Sequence, residues 1–187
     1  MKKLLRFKKA SLIDHWNARS KLYAGKYLNP TGIDKLFWKN IYRFHNITQS
    51  TLLKCEGKTL LLDIGCGPGI NAVNWLIQHN KLHITGIDIA EHMITYAQQK
   101  ATDFNLLQRC TFICGDFMTY DFENHKYDIV VASGVTDYIE DISSFVSRIA
   151  NMTQCTFIIS WPRKSIRSYF RKLWYPFPVF SYSRKHI

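Results

Sequence analysis

The sequence predicts a doubly wound α/β domain with a mainly parallel sheet, preceded by a helical N-terminal extension. Five short apolar runs alternate with segments of helical pattern: TLLLDI (59–64), LHITGID (82–88), CTFICGD (110–116), YDIVVAS (127–133) and CTFIISW (155–161). The helical segments fall near 70–80, 90–104 and 140–151, and such alternation favours right-handed crossovers between parallel strands. The runs are apolar at odd and even positions alike, the pattern of strands covered on both faces. The first run opens into a glycine loop, LLLDIGCGPGI, where a doubly wound sheet binds its ligand.

The elements follow in order. In residues 1–58, Leu5, Leu12, Trp16, Tyr23 and Tyr27 recur at seven- and four-residue steps, one stripe of a first helix. The tetrapeptide NPTG (29–32) breaks it, and Thr31 is placed to cap a second helix carrying Ile33, Leu36, Phe37, Ile41 and Phe44. From Thr59 the strand–helix alternation takes over. The chain of 187 residues, 47% of them apolar, is one domain rather than two. No apolar run reaches the roughly 18 residues of a membrane span. The basic start, MKKLLRFKKASL, lacks the apolar stretch of a signal peptide. The five cysteines show neither disulfide nor metal-ligand spacing, so reduced thiols, no metal and a cytoplasmic location are expected.

Charge is segregated. Residues 1–58 carry 13 Lys+Arg against 3 acids, residues 59–150 carry 5 against 11, and residues 151–187 carry 7 against none. Basic arms on an acidic centre point to an anionic or lipid-surface partner, or to a solvated basic surface.

The loop decides the kind of ligand. A dinucleotide site places its third glycine three positions after the second; here Gly65, Gly67 and Gly69 stand at alternate positions. No Gly-Lys-Ser/Thr follows, so a phosphate cradle is absent too. Bare backbone at Gly65 and Gly67 admits close approach of a ligand. Asp63, at the end of a buried strand, suits an ammonium or sulfonium group better than a pyrophosphate.

These residues resemble the first motif of the class I S-adenosylmethionine-dependent methyltransferases, Asp/Glu-x-Gly-x-Gly-x-Gly. ITGIDIAEHMITYAQQKA, FICGDFMTYDF and YDIVVASGVTDYIED resemble the segments that follow, and the likeness covers about residues 59–162. It implies a Rossmann-like methyltransferase fold binding S-adenosyl-L-methionine and releasing S-adenosyl-L-homocysteine. It also implies roles. Asp63 and the backbone of Ile64, Gly65, Cys66 and Gly67 would hold the methionyl group. Asp88, 19 residues after Gly69, would take both ribose hydroxyls. Ile89 and Met93 would pack on the adenine, although Met93 also lies on a helical stripe with Ala90 and Ala97 that reads as core. Asp116 would meet the adenine amino group beside the amide of Phe117, and Ser133 would lie near the methionine end.

The acceptor side is less defined. ASGVTD lacks the Asp/Asn-Pro-Pro-Tyr/Phe pattern of amino-methylating nucleic-acid enzymes, and no Pro-Cys pair follows. What remains is similar to the small-molecule branch, including O-methyltransferases of the magnesium-protoporphyrin type. Asp137 and Tyr138 are the candidates for substrate contact or general base; Asp137 is equally placed to cap the next helix. His15, Trp16 and Tyr23 could line a lid or pack as core. The expected organisation is 1–58 helical extension or lid, 59–162 cofactor-binding core, and 163–187 a basic aromatic tail. That tail reads as a truncated part of the domain lacking the family's last strands, which would leave CTFIISW as an uncovered edge. The function this resemblance implies is methyl transfer to a small-molecule acceptor, at oxygen. RNA methylation through the basic arms and a non-catalytic cofactor-binding remnant are the alternatives, with peripheral membrane contact a further possibility.

Overall fold

The computed structural model describes residues 2–28, 32–161 and 177–180, with side chains for residues 9–23, 25, 42–161 and 177–180. Two helices, α1 (Lys2–Leu28) and α2 (Gly32–Leu52), precede the alternating core. The core runs β1 (Thr59–Ile64), α3 (Ile70–Gln78), β2 (Leu82–Asp88), α4 (Glu91–Asp103), β3 (Cys110–Cys114), β4 (Tyr127–Ala132), α5 (Ile142–Met152) and β5 (Thr153–Ile159). The proposed cap Thr31 and the side chains of Leu5, Tyr27, Ile33, Leu36, Phe37 and Ile41 lie outside the described residues. So does the tail, except for 177–180.

All strand pairs are parallel, in the order β3-β2-β1-β4-β5. The chain winds outward from β1 through β2 to β3, then crosses back to place β4 on the other side of β1. That reversal opens a crevice at the carboxyl ends of β1 and β4.

The twofold period of a strand sorts the central side chains between two layers. Leu61, Ile129 and Val131 join Trp75, Leu76, Ala97 and Phe112 on the α3/α4 face. Leu62, Val130 and Ala132 join Phe145, Ile149 and Met152 on the α5 face. Helix α2 adds Leu52, with Phe44 packed beside it, to the first layer. Neither layer includes a described residue of α1.

Burial on both faces holds for β1 and β4 but not for all five strands. Central β1 and β4 are buried at five of six positions, whereas β3 and β5 are each buried at one. The physical reason is position: β3 and β5 end the described sheet, and Phe157 on β5 is 44% exposed. Strand β5 also begins two residues earlier than its sequence pattern, at Thr153 directly after α5.

Local chemistry fixes the helix ends. Asp141 caps α5, its Oδ1 accepting from the Ser144 amide at 3.0 Å and its Oδ2 from the Ser144 hydroxyl at 2.6 Å. Asp137 therefore is not the cap of this helix. At the C-terminus of α3, the Arg109 guanidinium donates to the carbonyls of Leu76 and His79, both at 2.8 Å. A cation there also suits the helix dipole.

Candidate cofactor and acceptor site

The glycine loop leaves β1 through three left-handed residues, Gly65 (φ 70°), Gly67 (φ 54°) and Gly69 (φ 69°). The three glycines differ in purpose. A Cβ on Gly69 would lie 2.7 Å from the Ala97 Cβ, so this glycine lets α3 and α4 approach. A Cβ on Gly67 would meet nothing within 4 Å, so its bare face looks into open space. The loop is pinned beneath by the amides of Gly65 and Cys66, which donate to the Ile87 carbonyl at 2.8 and 3.2 Å.

Asp88, at the end of β2, closes the loop from the side. Its Oδ2 accepts from the Gly67 amide at 3.0 Å and its Oδ1 from the Ala90 amide at 2.9 Å. Each oxygen keeps lone-pair capacity for a further donor. Burial raises the Asp88 carboxyl above its usual range, and the amides of Ala90, Gly67 and Ile89 oppose that rise. Asp63 is 4% exposed. Burial, and secondarily the charge of Asp88, pushes its carboxyl up to about 7. An acid held this way favours any cation that enters beside it.

Asp116 follows β3 and joins the same rim, because the Gly115 amide donates to the Asp88 carbonyl at 2.8 Å. Its Oδ1 accepts from the Met118 amide at 2.9 Å, and its Oδ2 meets Lys9 Nζ of α1 at 2.6 Å. The structure thus gathers Asp63, Gly65, Gly67, Asp88 and Asp116 at the carboxyl ends of neighbouring strands. The side chains of Ile64 and Cys66 face the two core layers, leaving only their backbones to a ligand. Phe117 is likewise buried in the α5 layer, edge-on to Phe145 at 5.4 Å. Met93 is buried in the first turn of α4, and Ile89 is half-buried.

Beyond β4 the chain turns at Gly134 (φ 78°), whose amide donates to Ser160 Oγ at 2.7 Å. Thr136 Oγ1 donates to the Ser160 carbonyl at 2.5 Å, fastening this loop to the end of β5. Ser133 is half-buried at its start. A single 3₁₀ turn at Thr136–Tyr138 then places Asp137 inside, 8% exposed, and Tyr138 at the rim. The Asp137 carbonyl accepts from the Phe180 amide at 2.7 Å. Tyr138 sits edge-on between Trp16 at 5.9 Å and Phe177 at 5.8 Å, and His15 meets Phe177 at 4.9 Å. Burial, with help from Arg19, holds the His15 imidazole below its usual pKa.

Five participants escape a reading of the sequence. Lys9 and Asn17, whose Oδ1 accepts from the His92 amide at 3.0 Å, carry no motif, and Phe177 lies in the tail, far along the chain from every motif. Gly134 and Ser160 leave a trace only as a glycine and a serine after consecutive strands. The hollow of about 210 Å³ lined by Leu52, Gly57, Thr59, His79 and Lys81 lies at the amino ends of β1 and β2, away from this rim.

A family model described as a methyltransferase domain matches residues 61–155. The chain belongs to that methyltransferase family. It is similar to the malonyl-[acyl-carrier protein] O-methyltransferase of Acetivibrio thermocellus, 30% identical over 97 residues, which are 52% of this chain and 32% of that protein. It is equally similar to the sterol 24-C-methyltransferase of Saccharomyces cerevisiae, 30% identical over 90 residues, 48% of this chain and 23% of that one. The chain therefore spans about a third or less of these relatives. In fold it matches the magnesium protoporphyrin IX methyltransferase of Synechocystis PCC 6803 solved with bound S-adenosylhomocysteine. That match has a TM-score of 0.75 at 21% identity, over 95% of this chain and 84% of that one. The [4+2]-cyclase SpnF also shares the fold, at TM-score 0.55 and 22% identity over 60% of this chain and 40% of that one. The fold alone does not fix the reaction.

Proposed function

We propose that this chain binds S-adenosylmethionine at the glycine loop and directs methyl transfer to a small-molecule acceptor, most readily at oxygen. The observation that carries the reading is the loop itself: Gly67 has open space over its Cα while its amide and the Ala90 amide hold Asp88 in place. The fit is chemical as well as geometric. Asp63 offers a carboxylate to the positive methionyl end, Asp88 offers two oxygens to vicinal hydroxyls, and Asp116 offers an acceptor to an exocyclic amine. When bound, the sulfonium supplies a good leaving group for an in-line displacement.

The protein's own contribution is then alignment and exclusion of water. Tyr138, on the rim beyond β4, stands where an acceptor would enter, and Asp137 beneath it supports that turn from inside. Ser133, directly after β4 and half-buried, opens the segment that leads to this turn. The oxygen acceptor draws support from the O-methyltransferase relative, and the sterol relatives make carbon the competing atom. RNA as substrate finds less support, since Lys9 of the basic arm faces Asp116 within the molecule. No described helix is long and apolar enough to cross a membrane; peripheral membrane contact and a cytoplasmic location stay as parts of this proposal.

Calorimetry with S-adenosylmethionine and S-adenosylhomocysteine tests it. Both should bind, and Asp88→Ala should weaken them by about 2 kcal/mol, the cost of leaving buried hydroxyls unpaired. Folded protein that binds neither would sink the reading.

A further inference from the structure

The turn that follows β3, residues 115–120, is fixed at both of its ends. At its start the Gly115 amide donates to the Asp88 carbonyl at 2.8 Å. At its close the guanidinium of Arg148, on α5, donates through Nη2 to the Tyr120 carbonyl at 2.5 Å. Between them the Thr119 and Tyr120 amides both donate to the Asp116 carbonyl, at 3.0 and 2.8 Å. The same guanidinium lies 5.2 Å from the centre of the Phe117 ring and 5.9 Å from that of Phe122, both rings being buried. Phe117 in turn meets Phe145 of α5 edge-on at 5.4 Å. Arg148 therefore grips the turn twice, by a charge-assisted hydrogen bond and by a cation over its buried ring.

What the turn presents is a matched pair. The Asp116 carboxylate is oriented by the Met118 amide, 2.9 Å from its Oδ1, and its Oδ2 meets the exposed Lys9 at 2.6 Å. The Phe117 amide has no hydrogen-bond partner among the described residues, whereas the amides of Gly115, Met118, Thr119 and Tyr120 are all spent within the protein. An acceptor beside a donor on one turn is complementary to an aminopurine edge, an exocyclic amine next to a ring-nitrogen acceptor. A 6-oxopurine reverses both groups, setting carbonyl against carboxylate and ring N–H against amide. Reading that difference requires the pair to be held to about 0.5 Å. The turn's internal hydrogen bonds fix its shape but not its seat on α5, which Arg148 and the Phe117 ring supply.

We infer that Arg148 is a positioning residue for nucleobase selection. It seats the 116–120 turn on α5 so that Asp116 and the Phe117 amide accept an aminopurine and reject a 6-oxopurine. This rests on the cofactor reading given above. Arg148 acts through the turn and not by touching the ligand, so its mark is on the choice of base and not on binding in general.

The test is calorimetry of the full chain with S-adenosylhomocysteine and its deaminated analogue, S-inosylhomocysteine. The wild-type chain should prefer the adenosyl compound about a hundredfold, the factor that mismatched buried polar groups imply. Arg148→Gln should cut that preference about tenfold, the worth of a hydrogen bond from a charged donor, chiefly by weakening the adenosyl compound. Arg148→Lys, which keeps a cation and a donor, should restore most of it. Phe117→Leu keeps an apolar residue under the turn but removes the ring beneath the guanidinium, and should move the preference the same way. It tests the link even where Arg148→Gln does not fold. Asp88→Ala, on the ribose side, should weaken both compounds alike. A preference that survives in Arg148→Gln and Phe117→Leu, or a loss that falls equally on both compounds, would overturn the proposal. Equal binding of the two compounds by the wild-type chain would overturn it too, while leaving the glycine-loop reading intact. Failure of the wild-type chain to bind either would remove the cofactor reading and the proposal with it.

Discussion

The two halves of the rim are built differently. On the proposed donor side, the glycine loop after β1 is held by its backbone amides, with the Ile87 carbonyl below and the Asp88 carboxylate beside it. On the proposed acceptor side, the turn after β4 is shaped by side chains from distant segments: Ser160 after β5, Trp16 from α1 and Phe177 from the tail. A backbone-built site tolerates few changes in the loop and many around it. A site built from remote side chains can change its specificity without disturbing the sheet.

The sharpest way to break that contrast is at Gly69. Valine there would combine φ 69° with a Cβ 2.7 Å from the Ala97 Cβ. We expect a loss of about 3 kcal/mol or more from strain and overpacking together, seen as a lower Tm. Gly67→Ala, with open space at the Cβ, should cost about 1–2 kcal/mol for its left-handed backbone alone. Equal losses would mean that the loop is not graded between packing and ligand space.

The donor half should also titrate. Because Asp63 ionises near 7 in the ligand-free fold, affinity for the cationic cofactor should rise about tenfold from pH 6 to pH 8. Calorimetry across that range checks it, and a flat profile would show that Asp63 does not meet the positive charge. The same group acts oppositely on stability. Its folded pKa is raised from 3.8 to about 7, so its contribution is full below about 4 and is lost as the pH rises through 7. The ligand-free chain should accordingly melt lower at pH 8 than at pH 5 for this group's part.

Smaller effects should appear on the acceptor half. Ser160→Ala removes the acceptor of the Gly134 amide and should cost about 1 kcal/mol in stability. Tyr138→Phe should leave cofactor Kd within about twofold, the span of a few tenths of a kcal/mol, while changing acceptor KM. A larger change in cofactor Kd would show that the two halves are not separable.

Much of this was legible in the residues. Apolar runs with alternating helices fixed β1, β2 and β4 almost to the residue, because central parallel strands must be apolar on both faces. The strand-end positions of Asp63 and Asp88 and the left-handed turn at Gly67 were legible, because backbone freedom and a carboxylate at a strand end leave a fixed spacing. The two readings of Asp137, site residue or helix cap, stayed open in the sequence, since Asp137 and Asp141 both precede α5 and only the geometry shows that Asp141 accepts from Ser144. The exposure of β3 was missed for a different reason, strand order being a property of pairing and not of composition, whereas an edge position had been expected for β5.

By itself, then, the sequence determined the alternating architecture, the glycine loop with its strand-end carboxylates and membership of a methyltransferase-like pattern, all local in the chain. Tertiary structure alone decided that Lys9 meets Asp116 across 107 residues and that Trp16, Tyr138 and Phe177 share one aromatic cluster. The reason is physical. Local sequence sets backbone conformation and the spacing of groups along one element, whereas a contact between distant elements exists only once the sheet has fixed where each element ends.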